Sequence, residues 1–293
     1  MKDLNGREIY RRVLPVAALG ALLLGSLVYV RKVEPEDVEV VPVSLVLPRL
    51  DARFDGYRIA QISDLHADGW MTPGRVLKLV KLVNEQEPDL VAITGDFATY
   101  SRFRSLVRHV PGLAAPLRRL RASDGAVAVL GNHDHKADAG LVRRVLVESD
   151  VIDLSNTSLT LGLPGAVLHL CGVDSAKEGT PRLDRVLQGL PAEGAAILLV
   201  HEPDFADESA ATGRFDLQLS GHSHGGQVGL PLLRYLFLPK LSRKYPAGLY
   251  RVGEMFLYAN RGLGAHPRFR FNCRPEITVI TLRSLGNSSL EGG

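Results

Sequence analysis

Five apolar runs in this chain each end in a polar tip. Residues 57–63 lead into Asp64-Leu65-His66, 90–94 into Gly95-Asp96, 127–130 into Gly131-Asn132-His133-Asp134, 196–200 into His201, and 217–220 into Gly221-His222-Ser223-His224. Short runs rich in Val, Ile, Leu and Ala read as strands buried on both faces, and such strands belong to sheets covered by helices. Helical patterns lie between them: 72–86 repeats Val76, Leu79, Val80 and Val83 at helical spacing, and 140–148 has a similar pattern. Alternation of this kind builds a largely parallel sheet, which binds ligands outside the carboxyl ends of its strands. The five strands are therefore expected to bring their tips to one sheet edge.

Any one of these tips is a weak signal, because an isolated histidine is more often structural than functional. Together they collect carboxylate, imidazole and carboxamide groups, the ligand types of hard-to-borderline divalent ions. Two such ions, Mn, Fe or Zn with Mn favoured, are expected side by side. Cys171 and Cys273 are the only cysteines, which excludes a disulfide framework and a thiolate zinc site and leaves packing as their role.

The ordered blocks Asp-x-His, Gly-Asp, Gly-Asn-His-Asp, His and Gly-His-x-His resemble the calcineurin-like metallophosphoesterase superfamily over about residues 57–282. The resemblance implies an α/β fold of four layers, an α/β/β/α sandwich, and a dinuclear-metal hydrolase of phosphoester or pyrophosphate bonds. Paired metals about 3.5–4 Å apart acidify a bridging water and clamp an in-line displacement. By the same resemblance Asp96 bridges the metals, Asp64, His66 and His224 complete one, and Asn132, His201 and His222 complete the other. His133 is left as the catalytic group that protonates the leaving oxygen, a task suited to an ordinary pKa of about 6.5. Asp134 either orients His133 or caps a helix. Gly131 and Gly221 are expected to permit tight backbone turns, and Gly225 and Gly226 to leave room for substrate. His109, His135, His169 and His266 read as loop or surface residues, and Asp68 and Asp174 as loop caps.

The residues after Asp96 exclude two familiar branches. Ser/Thr protein phosphatases continue with Asp-Arg-Gly, whereas this chain has Phe97-Ala98-Thr99-Tyr100. Purple acid phosphatases carry a tyrosine ligand three residues after the aspartate, where Thr99 stands, so Tyr100 reads as packing. The chain looks instead like the membrane-linked bacterial branch that includes UDP-2,3-diacylglucosamine hydrolase-type enzymes. The supporting features are an apolar N-terminal segment, Asn260-Arg261-Gly262-Leu263-Gly264 with Arg274-Pro275-Glu276-Ile277, and an insertion at 230–245.

Residues 13–30 carry no charge and reach the length of about 17 to 25 residues that crosses a bilayer as a helix. A cleaved signal peptide would have a shorter apolar region and an Ala-x-Ala-like site, and the surroundings of Arg11-Arg12 match a twin-arginine signal poorly. The expected organisation is a membrane anchor at 1–32, a linker or extended strand at 33–52, the catalytic domain at 53–284 and a flexible tail at 285–293. Lys2, Arg7, Arg11 and Arg12 precede the apolar segment, whereas Glu34, Glu36 and Asp37 come after Arg31 and Lys32. That bias favours a bacterial inner-membrane protein with its domain outside, although a UDP-sugar substrate is cytoplasmic. Beyond Thr157 further strands are expected at 158–161, 167–173, 254–260 and 276–282, forming a second sheet.

The insertion alternates apolar and basic residues, the composition of a segment lying in a membrane interface or of a loop over the sheet edge. Its Arg234, Lys240, Arg243 and Lys244 are expected to contact lipid phosphates, making the partner a phosphorylated, lipid-linked substrate. No obligate protein partner is evident. A formal charge of +3 is too small for a duplex-binding groove, which disfavours a nuclease using the same metals. An inactive scaffold would be expected to have lost ligands, and none is missing.

Overall fold

The computed structural model describes residues 6–102 and 105–286, with side chains from Leu14 onward. Lys2, the side chains of Arg7, Arg11 and Arg12, and the tail beyond residue 286 lie outside the described residues.

In chain order the strands are β1 (Glu39–Val46), β2 (Arg58–Ile62), β3 (Leu90–Ile93), β4 (Ala126–Ala128), β5 (Val151–Asp153), β6 (Thr157–Leu163), β7 (Ala166–Gly172), β8 (Ala195–Leu199), β9 (Leu217–Ser220), β10 (Gly248–Val252), β11 (Met255–Ala259) and β12 (Glu276–Arg283). The helices are α1 (Gly6–Val28), α2 (Pro73–Asn84), α3 (Ala114–Leu117), α4 (Asn132–Ala137), α5 (Ala139–Glu148), α6 (Leu183–Gly189), α7 (Ala206–Ala211) and α8 (Pro231–Arg234). Two six-stranded mixed sheets result, one in the order β1-β12-β2-β3-β4-β5 and the other β10-β11-β9-β8-β7-β6.

Alternating side chains divide the interior into layers. Ile59, Leu90 and Val127 of the first sheet meet Leu168, Ile197 and Leu217 of the second in a core between the sheets. Their neighbours Ala60, Val91 and Ile93 face outward onto Val76, Leu79, Val80 and Val83 of α2 and Val142, Val145 and Leu146 of α5. Ala196 and Leu198 face outward onto Leu183 and Val186 of α6 and Ala206 of α7. Both faces of the central strands are covered, which is why they read as unbroken apolar runs. The stack is a four-layer α/β/β/α sandwich. α2 begins where Thr72 accepts a hydrogen bond from the Arg75 N–H and Pro73 occupies the first helical position.

Three features differ from the sequence-based expectation. The five tip-bearing strands do not share one sheet, since β2, β3 and β4 belong to the first and β8 and β9 to the second. Strand β12, expected in the second sheet, runs antiparallel to β2 and parallel to β1 in the first. Residues 39–46, within the span expected as linker or strand, form β1, so this sheet begins before residue 53. Sheet membership depends on pairing between residues more than 200 positions apart, such as Glu39 and Glu276, which local periodicity does not encode.

Over Leu14–Glu36 the N-terminal helix is long and apolar enough to cross a membrane, and its apolar window is unburied. Its 23 residues correspond to about 34 Å of helix, against about 30 Å of bilayer hydrocarbon. The helix meets the domain through a widened turn at Tyr29–Val33 and a tight one at Glu34–Glu36. There the Arg270 N–H donates to the Val30 carbonyl at 2.9 Å, the Cys273 N–H donates to buried Glu34, and Trp70 and Arg268 donate to Glu36.

Candidate metal centre

The tips of both sheets converge at the mouth of the seam between them. Directly below, buried Gln61 of β2 donates to the Ser220 carbonyl of β9 at 2.9 Å and to Thr94 Oγ1 at 3.2 Å, tying the sheets together. Donor atoms of Asp64, His66 and His224 lie within 4.8 Å of one another, as do those of Asp96, His201 and His222, and those of His66, Asp96 and His133. Asp64, His66, Asp96, Asn132, His201 and His222 are all at most 3% exposed.

Backbone contacts aim each ring. The His66 Nδ1–H donates to the Ala98 carbonyl at 3.2 Å and the His201 Nδ1–H to the Thr94 carbonyl at 2.6 Å, leaving Nε2 of each free. The His222 Nε2–H donates to the Lys240 carbonyl at 2.9 Å, leaving Nδ1 free. Donation of the far ring N–H to a fixed acceptor is how metal-binding histidines are held in one tautomer. Asp64 Oδ2 accepts from the His222 N–H at 3.0 Å and Asp96 Oδ1 from the His133 N–H at 2.8 Å, so each carboxylate presents its second oxygen.

The donor set fits divalent cations. Asp64 Oδ1, Asn132 Oδ1 and His201 Nε2 are buried without hydrogen-bond partners, a costly state unless an ion is their partner. His66 Nε2 and His224 Nε2 stand 3.1 Å apart. Two nitrogens each about 2.1 Å from a shared ion, roughly at right angles, would be separated by about 3.0 Å. Asp96 Oδ2 lies 3.6 Å from His66 Nε2 and 3.2 Å from His201 Nε2, between the two groups, as a bridging carboxylate requires.

Electrostatics reflect this crowding. Burial pushes the Asp64 carboxyl up to about 6, with the nearby Asp96 charge adding to the rise. Burial also acts upward on Asp96, but His201 and His133 outweigh it and hold that carboxyl well below its usual range. Burial drives His66 down to about 3 and lowers His133. His133 Nδ1 accepts from the Tyr100 N–H at 3.1 Å, so the neutral ring carries its proton on Nε2.

Backbone geometry around the donors is unusual. Asp64, His66, Asp96, His222 and His224 all adopt left-handed φ, between 49° and 67°. Gly131 and Gly221 are expected as tight turns, but neither has positive φ. Their requirement is space: a Cβ on Gly131 would lie 2.2 Å from Asp96 Oδ1, and one on Gly221 would lie 2.4 Å from Asp64 Oδ2.

Several other expectations are corrected. Of the two roles expected for Asp134 the helix cap holds and the orientation of His133 does not: its buried carboxylate accepts from the N–H of Gly131, the residue that caps α4, and from those of Asp96 and Ala98, and so holds the Asp96 loop against α4. Burial and the Asp96 charge raise it to about 7. Tyr100 is 40% exposed instead of packed, and its N–H rather than Asp134 orients His133. Gly225 and Gly226 are buried against Cys273, Arg261 and Arg234 and leave no space for substrate. Arg234, Lys240, Arg243 and Lys244, expected to contact lipid phosphates, lie on the insertion outside the wall of this cavity, and that contact belongs to the membrane proposal below. Lys244 pairs with Asp207 at 2.7 Å, and the Arg243 N–H donates to Asp204 at 3.0 Å.

The metal-binding cavity encloses ≈ 310 Å³, and its wall includes Lys177, Phe237, His266 and Phe269, which the sequence pattern does not place there. For Lys177 a signal exists, because it comes after β7 as the other tips come after their strands, but Asp174 at that strand end reads by itself only as a loop cap. The Asp174 carboxylate accepts from the N–H groups of Ser175 and Thr180 and also pairs with His135 Nε2 at 2.6 Å. His266 sits in the 261–274 loop, whose course depends on Arg270.

The chain is similar to known proteins. The family model described as calcineurin-like phosphoesterase matches residues 57–226. The chain is 33% identical over 288 residues to a Bacillus subtilis (strain 168) protein named uncharacterized metallophosphoesterase YkuE, covering 97% of this chain and 99% of that one. It is 27% identical over 275 residues to phosphodiesterase YaeI of Escherichia coli (strain K12), covering 93% and 98%. With a Danio rerio transmembrane protein with metallophosphoesterase domain it shares 30% identity over 261 residues, 84% of this chain and 57% of that one.

Proposed function

Because this chain belongs to the calcineurin-like phosphoesterase family and is a metal-dependent phosphoester hydrolase, we propose that it cleaves phosphodiester or pyrophosphate bonds in substrates presented at a membrane surface. UDP-2,3-diacylglucosamine and other phospholipid-like molecules are substrates of that class. Hydrolysis of a diester is further supported by the similarity to a protein named phosphodiesterase.

One continuous surface carries the membrane part of the proposal. Phe237, from the insertion, and Phe269 approach with ring centroids 5.8 Å apart, and both line the metal cavity. Phe269 and Pro267 also line a crevice with Leu27, Val30, Arg31 and Lys32 at the base of the apolar helix. Beyond Phe237 the insertion exposes Leu232 by 88% and Leu236 by 76%. Exposed apolar residues beside an apolar helix are the composition of a face that enters an interface.

Within the cavity, Asp64, His66, Asp96, Asn132, His201, His222 and His224 would hold two divalent ions. When bound, such ions supply an acidified water and neutralise phosphoryl charge. His133, with its proton on Nε2, is placed to donate that proton toward the leaving oxygen, while Tyr100 N–H and Asp96 fix its ring and backbone.

The test replaces Leu232 and Leu236 together with serine and compares two substrates. Turnover of a phosphodiester lipid in vesicles should fall while turnover of a soluble chromogenic diester is kept. Equal loss on both would sink the membrane proposal. Proteolysis of the domain in intact spheroplasts would assign its side.

A further inference from the structure

Among the described residues Lys177 is the single lysine or arginine in the cavity wall, which includes His66, Asp96, His133 and His222. Its ammonium has no ion-pair partner among the described residues. The neighbouring acids are committed elsewhere: Glu178 pairs with Lys136 at 2.7 Å and Asp174 with His135 at 2.6 Å. Glu202 accepts from Ser175 Oγ at 2.6 Å and from the Ala176 N–H at 2.8 Å. A half-buried ammonium loses solvation that the more distant Glu202, Asp96 and Glu178 charges return only in part. Burial accordingly depresses its pKa.

The loop holding Lys177 is braced at both ends. Asp174 and Glu178 fasten it to His135 and Lys136 of α4, the helix that carries Asn132 and His133. Glu202, next to His201, fastens its middle. The Glu178 N–H donates to Ser175 Oγ and the Gly179 N–H to the Ser175 carbonyl, closing a compact turn beneath the lysine. Lys177 is therefore held in register with the metal donors by contacts to residues adjacent to them in the chain.

We infer that Lys177 is a substrate-binding residue whose ammonium contacts a non-bridging oxygen of the phosphoryl group in the metal cavity. The inference rests on the hydrolase function proposed above and adds the residue that recognises the anion. The same wall includes Phe237 and Phe269, so the cavity offers a charged group for phosphate oxygens and apolar rings for the ester substituent.

Lys177→Gln and Lys177→Arg test this in the full chain loaded with Mn. In the glutamine variant KM for bis(p-nitrophenyl) phosphate and Kd for inorganic phosphate, measured by calorimetry, should each rise about tenfold or more, with a smaller change in kcat. The arginine variant should recover most of the loss, and the thermal midpoint should be unchanged in both. A phosphate Kd within about twofold of wild type in the glutamine variant, or an arginine variant as weak as glutamine, would overturn the assignment. Failure of the wild type to cleave any diester would remove the hydrolase proposal, and phosphate calorimetry would still judge Lys177 on its own.

Discussion

Arg270 is fully buried, and its guanidinium donates to the carbonyls of Cys273 at 3.1 Å, Arg261 at 2.8 Å, Gly262 at 2.9 Å and Gly264 at 2.6 Å. The strip it gathers leans on the metal centre, where the Leu263 N–H donates to the Ser63 carbonyl and the Gly264 N–H to that of Asp64. Replacing Arg270 with methionine keeps most of the volume and leaves these carbonyls without that donor. Hydrogen bonds from a charged donor contribute about 1.5–3 kcal/mol each, and because Nη2 shares its two N–H groups among three of the carbonyls, the three N–H groups involved amount to roughly 5–9 kcal/mol. Burying the guanidinium costs several kcal/mol, which the substitution returns, for a net loss of about 2–5 kcal/mol. At a urea slope of about 3 kcal/mol/M the unfolding midpoint should fall by about 1–2 M. Lysine, with a single ammonium in place of the fork, should fall between wild type and methionine. Urea denaturation of the Mn-loaded variants is the assay, with metal content measured in parallel. A loss under about 1 kcal/mol with full metal content would refute the argument that Arg270 holds the strip.

His133→Ala should lower kcat about a hundredfold or more with metal content unchanged, read by steady-state kinetics and elemental analysis; loss of metal instead would make His133 a ligand. Asp96→Asn should abolish Mn-dependent hydrolysis and empty the centre while circular dichroism stays native. Gly221→Ala places a Cβ against Asp64 and should cost about 1–3 kcal/mol together with metal loss; a wild-type thermal midpoint would contradict the close approach. Donation of the His135 Nε2–H to Asp174 raises the His135 pKa. That stabilisation is complete below the unfolded value of about 6.5 and is lost as pH rises through the higher folded value, so His135→Gln should destabilise more at pH about 6 than at pH about 9.

The metal donors were legible because each comes directly after a buried strand, a purely local pattern. Layers were legible for the same reason, since strands such as 90–93 alternate between two apolar environments. The partition of strands between sheets was not, because β12 finds its place by pairing with β1, far away in sequence. Roles set by hydrogen-bond direction were also hidden. Asp134 lies beside His133 in sequence yet turns to the backbone of the Asp96 loop, and Tyr100, whose position suggests only packing, supplies the N–H that orients the ring. The wall formed by Lys177, His266 and Phe269 joins separate loops whose meeting depends on buried anchors such as Glu202 and Arg270.

The left-handed φ values at Asp64, His66, Asp96, His222 and His224 carry an evolutionary consequence. Each holds a side-chain-bearing residue in a conformation about 1 kcal/mol or more above its relaxed state, which glycine would adopt freely. A glycine at His66 or His224 would relieve its loop and delete a candidate metal donor at once. Selection for a more robust fold and selection for turnover thus pull on the same five positions in opposite directions. A library screened for heat resistance alone would drift toward glycine at these sites and yield sturdier proteins without a metal centre.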